Sequence, residues 1–205
     1  MGEIRKGIVM AVTMAACAVV LAACGGEAPP PVEQRQASEP AETQQPAARP
    51  AAGSTLRAIA RMEPRSGSSV SGAVVFTAFE GPMVMGGVLD GGEPGTNAIH
   101  IHEIGDCSAP DATSAGPHFN PGSAPHGSPD DPAGERHAGD LGNISFDEHG
   151  QARFDRVLGD ELTFEGETGI LGRAVIVHAR PDDFETQPTG AAGPRIACGV
   201  IELLQ

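Results

Sequence analysis

The chain has 205 residues and a formal charge of −14; it holds 28 glycines, 18 prolines, 7 phenylalanines, no tryptophan and no tyrosine. The acidity and the absence of any basic patch (Lys6 is the only lysine) exclude a nucleic-acid binder. So much Gly and Pro argues against a helical bundle and for an all-β or loop-rich domain with an aliphatic core. Acidity also repels anions on average, so an anionic substrate needs a locally positive channel.

The chain opens on an export signal. Arg5 and Lys6 precede an apolar run over 8–23, too short and too rich in small residues for a membrane span. The run closes on Leu21-Ala22-Ala23-Cys24, which resembles the bacterial lipoprotein cleavage box, where the cysteine becomes the lipidated first residue. The plainer alternative is an ordinary signal peptide with a chance cysteine. The lipoprotein reading makes 1–23 a signal peptide and Cys24 a membrane anchor. The protein is then expected in the periplasm or cell envelope, on the outer membrane, because Gly25 is not the aspartate that often signals inner-membrane retention. Cys17 then goes with the leader and Cys24 with the lipid. Cys107 and Cys198 remain, and in an oxidising compartment they are expected to pair; the alternative is two buried thiols.

Residues 24–54 are rich in Pro, Ala, Gln and Glu, with Pro29-Pro30-Pro31 and almost nothing bulky and apolar. That composition predicts a disordered tether. The folded domain is expected over 55–205. Strand patterns follow at 73–79, 82–89 and 98–103. A hairpin is predicted where 143–146 and 152–157 flank Asp147-Glu148-His149-Gly150. Late strands are expected at 174–179 and 199–204. Between 105 and 140 lies a stretch dense in Pro, Gly, His and Asp, and a loop that long inside a domain is functional or disordered.

Five of the seven histidines fall between residues 100 and 137. His100 and His102 alternate with Ile99 and Ile101, so strand geometry puts both imidazoles on one face, a half-site for copper or zinc. The pair alone is weak, since exposed strand faces carry polar residues anyway. In the loop, His118, His126, His137 and Asp140 make a complete tetrahedral zinc set; the alternative is a solvated loop bearing histidines. His178 ends the strand pattern beginning at Ala174, a place where histidine more often faces solvent or core than a metal.

The ordered set of motifs then carries a family resemblance. It comprises His100-Ile101-His102-Glu103 with Gly105-Asp106-Cys107, Gly116-Pro117-His118-Phe119-Asn120-Pro121, Pro125-His126-Gly127, Glu135-Arg136-His137-Ala138-Gly139-Asp140-Leu141-Gly142-Asn143, Val175-Ile176-Val177-His178 with Asp182-Asp183, and Gly193-Pro194-Arg195-Ile196-Ala197-Cys198-Gly199-Val200-Ile201. Over about 56–205 the chain resembles the copper,zinc superoxide dismutases, in their exported bacterial form.

The resemblance implies an all-β fold, an antiparallel Greek-key β-barrel or sandwich with long metal-binding loops. It implies copper on His100, His102, His118 and His178, and zinc on His118, His126, His137 and Asp140, with His118 shared. It further implies that Asp182 accepts hydrogen bonds from His100 and His126, that Cys107 pairs with Cys198, and that Arg195 stands beside copper and attracts superoxide. His149 falls outside the set.

Several residues depart from the family. Ala98-Ile99 stands where Gly-Phe is common, Pro117 replaces a glycine, and 183–194 is short and lacks lysine, leaving Arg180 to contribute positive charge. Without Trp or Tyr, the aromatic contacts common in bacterial dimers are missing, and monomer and homodimer both stay open. Two rivals to an enzyme exist: a non-catalytic relative that binds or delivers metal, and a structural or adhesive lipoprotein using zinc for stability. The first should have lost copper ligands, yet all four are present.

Overall fold

The computed structural model describes residues 55–78, 81–159 and 161–204. The expected leader, the tether and Cys24 lie outside these residues. Eight strands form: β1 Leu56–Pro64, β2 Ser71–Ala78, β3 Val84–Asp90, β4 Gly95–His102, β5 Asp140–Phe146, β6 Gln151–Val157, β7 Ala174–His178 and β8 Arg195–Leu203. The only helical element among the described residues is a 3-10 turn, Thr113–Ala115.

All strand pairs are antiparallel, in the order β5-β4-β7-β8-β1-β2-β3-β6. The edge strands β5 and β6 are joined by the turn predicted at 147–150, where Gly150 N–H donates to the Asp147 carbonyl at 2.9 Å. The sheet therefore curls into a nearly closed barrel. Strands β4, β5 and β6 follow one another, and the chain then returns through 158–173 to lay β7 beside β4, which is Greek-key connectivity.

Alternation sorts each strand into two faces. Ala58, Ala60, Met62, Val74, Phe76, Met85, Leu89, Ile99, Ile101, Val175, Val177 and Ile201 fill one core. Full burial of a residue such as Phe76 or Leu89 is worth about 1.5–3 kcal/mol. Strand β1 lacks a clear sequence signal because two of its inward residues are alanines, which have little strand preference. Strand β7 is buried throughout. Its second face packs Ala174 and Ile176 with Cys198, Ala112 and Ala115 in a smaller cluster, so the long loop covers the outside of the barrel there. The expected Cys107–Cys198 disulfide forms and ties that loop to β8.

Candidate metal centre

Four elements bring the site together. His100 and His102 point out of the barrel from β4, opposite the core residues Ile99 and Ile101. His178 ends β7, and its register partner across β8 is Arg195. Asp140 opens β5 opposite His100, next to an irregularity in the ladder after Ala98. Such bulges re-aim side chains. The loop adds His118 through a β-bridge to His102, together with His126 and His137. All seven metal-type side chains are buried.

For His100, His102 and His178, one ring nitrogen is committed to an acceptor and the other is left to face the group. His102 Nδ1 lies 2.8 Å from the Gly116 carbonyl, and His178 Nδ1 lies 3.0 Å from the Gly193 carbonyl. His100 Nε2 and His126 Nε2 lie 2.7 and 2.8 Å from the two oxygens of Asp182. These acceptors fix the tautomers and aim the opposite nitrogens. His118 Nδ1, His126 Nδ1 and His137 Nδ1 surround Asp140 Oδ1 at 3.0, 3.0 and 3.2 Å. His126 Nδ1 is near that oxygen in distance but not in hydrogen-bond direction.

Two groups result, His100/His102/His118/His178 and His118/His126/His137/Asp140; within each, the ligand atoms lie within 4.8 Å of one another. His118 belongs to both. His100 Nδ1, His118 Nε2 and His126 Nδ1 are fully buried without a hydrogen-bond partner. Leaving such an atom unpaired costs about 1–3 kcal/mol. His102 Nε2 and His178 Nε2 face each other at 3.4 Å, as do His118 Nδ1 and His137 Nδ1. That is the edge of a tetrahedron built on metal–nitrogen bonds of about 2.0–2.1 Å. The residues fit a metal ion in each group.

Electrostatics separates the groups. In the first, burial lowers His118 to about 4 and His178 to about 3, and it holds His102 well below 6.5, helped by neighbouring His118 and His178. These rings are neutral and offer lone pairs, as ligation requires. In the second, burial would lower His126, but the carboxylates of Asp140 and Asp182 overcome it and raise the ring to about 9. Burial would raise both carboxyls, yet the histidines facing Asp140 hold it far below the usual range, and hydrogen bonds from His100 and His126 hold Asp182 at about 2. A cation held in the second group would take the place of the proton on His126.

Arg195 adjoins the first group. Its Nη1 donates to the Ala112 carbonyl at 2.6 Å and its Nη2 to the Gly116 carbonyl at 2.7 Å. The Gly116 carbonyl thus serves both Arg195 and His102. The Pro117 departure is accommodated: Gly116 sits at φ 72° and ψ −157°, and the Pro117 carbonyl accepts the Glu103 N–H. Ala98 and Ile99 are fully buried.

Several supporting residues carry no sequence signal of their own. Asn143 grips the Asp182 main chain twice, at 3.0 and 2.8 Å. Asn97 donates to the His178 carbonyl at 2.8 Å. Arg136 donates to the His137 carbonyl at 3.1 Å and pairs with Glu161. Gly190, at φ +60°, leaves no room for a Cβ against Asp182 and His126 Nε2. The motif block containing Arg136 and Asn143 was visible in the sequence, but their contacts are tertiary.

Fold and site together define a β-barrel with two adjoining histidine-rich metal-binding groups on its outer face. The family profile for Copper/zinc superoxide dismutase (SODC) matches residues 70–201, and the chain belongs to that family. A crystal structure described as that of the clock protein EA4 is 39% identical; the match covers 75% of this chain and 97% of that one with a TM-score of 0.66.

Proposed function

We propose that the protein dismutates superoxide, with copper on His100, His102, His118 and His178 and zinc on His118, His126, His137 and Asp140. The shared ring carries this reading: His118 turns Nδ1 to Asp140 and leaves Nε2 buried and unpartnered beside the other group. Four imidazoles without a carboxylate suit copper, and three imidazoles closed by a carboxylate suit a structural zinc. Copper, when bound, supplies the one-electron exchange that turns two superoxide ions and two protons into dioxygen and hydrogen peroxide.

The chain supplies docking, orientation and a place for a proton. Arg195, held by two carbonyls, presents fixed positive charge where a small anion must come to rest. Asp182 and the carbonyls of Gly116 and Gly193 keep the rings of His100, His102 and His178 from turning. His118 Nε2 is the buried, unpartnered atom at which a proton can be held near the docked anion.

The protein is proposed to work in the periplasm, lipid-anchored through Cys24 to the outer membrane, as a monomer or homodimer. Metal analysis and a dismutation assay on the full-length protein test the activity. The expected result is about one copper and one zinc per chain, with activity lost on copper removal and restored by copper. A copper-loaded protein without activity would overturn it.

A further inference from the structure

Three of the four members of the second group are held by strong local supports. Asp140 lies in β5, and His118 is bridged to β4. His137 donates its N–H to Asp140 Oδ2 at 2.9 Å, and its carbonyl accepts from Arg136. His126, in the long loop with its neighbour Gly127 donating to Asp140 Oδ2 at 3.1 Å, differs in what holds its own main chain. Its main-chain N–H and carbonyl both pair with one side chain, that of Gln187. Gln187 Oε1 accepts from His126 N at 2.8 Å, and Gln187 Nε2 donates to His126 O at 2.8 Å. The amide occupies the place a neighbouring strand would take.

The same short segment also holds the ring, since Asp182 Oδ1 lies 2.8 Å from His126 Nε2. The segment is itself fastened to β5 by Asn143. We infer that Gln187 is a positioning residue that fixes the main chain of His126 and thereby retains the cation of the second group. The inference rests on the reading above that this group holds zinc. Gln187 is exposed, so replacing it removes no core packing.

The test compares zinc release from fully loaded protein to a chromogenic chelator. Gln187→Met keeps the side-chain length and loses both hydrogen bonds. It should release zinc about tenfold faster, the lower range for disturbing an outer support of a metal ligand. Copper should stay bound. The metal-free variant should melt within about 2 °C of wild type, as a surface change does. Thr186→Val is the control: Thr186 bonds Asp183 inside the same segment at 2.6 Å without touching His126, so its release rate should stay near wild type. Gln187→Met releasing zinc at the wild-type rate, or Thr186→Val releasing it equally fast, would overturn the inference alone. Wild-type protein that retains no zinc in the second group would overturn both the inference and the reading beneath it.

Discussion

Replacing Arg195 tests how an acidic protein admits an anion. The net charge of −14 makes the average field repulsive, and the loop near the site adds exposed Asp183 and Glu185. Arg195 is only partly exposed, and its two carbonyl partners hold the guanidinium in place. Losing a charge-assisted contact costs about 1.5–3 kcal/mol. Arg195→Ala should therefore slow dismutation about tenfold to a hundredfold. Arg195→Lys should keep much of the rate, because a small anion needs charge more than a planar fork. Arg195→Glu should be slowest, and its rate should rise with salt, since screening becomes strong at about 0.1 M where the Debye length is about 10 Å. The assay is dismutation at graded ionic strength, with copper content measured on every sample because Arg195 and His102 share the Gly116 carbonyl. Near wild-type activity of Arg195→Glu at low salt with full copper would refute the reasoning.

Other perturbations separate the remaining parts. His178→Ala should lose copper and keep zinc in metal analysis, because His178 belongs only to the first group, whereas His137→Ala should lose zinc first; equal loss of both metals from folded His178→Ala would refute that assignment. The disulfide closes a separation of 91 residues, for which chain entropy gives about 4–5 kcal/mol. Cys107→Ser should therefore lower the melting temperature by about 10 °C or more in calorimetry, and an unchanged melting curve would count against this. Cys24→Ala should leave the membrane fraction, or stay unprocessed, on cell fractionation; undiminished membrane attachment would remove the case for a lipid anchor.

What could be read in the sequence follows from period and spacing. The alternation of Ile99 and Ile101 with His100 and His102 fixes which face is core, and the structure puts the isoleucines inside the barrel and the imidazoles outside. The seven side chains named as ligands fall in two groups that share His118, and Asp182 lies against one ring of each, His100 and His126. Strand β1 was not readable, because Ala58 and Ala60 give alternation without bulk. The hold of Gln187 on His126 links residues 61 apart in sequence, and that of Arg136 on Glu161 links residues 25 apart; no periodic pattern marks an exposed amide as a partner for main chain.

The position of the histidines has a physical cause. A barrel interior filled with aliphatic side chains has no acceptors for imidazole N–H groups, because its backbone is spent on the ladder. The histidines therefore lie on the outer face, and their acceptors come from loop carbonyls at Gly116 and Gly193 and from the carboxylate of Asp182. Ligand identity is written in strand period and motif order. Ligand aim depends on where three loop segments are fastened: by Cys107–Cys198, by Asn143 and by Gln187. Strands bring His100, His102 and His178 together, and the fastened loop segments bring His118, His126 and His137 up to them.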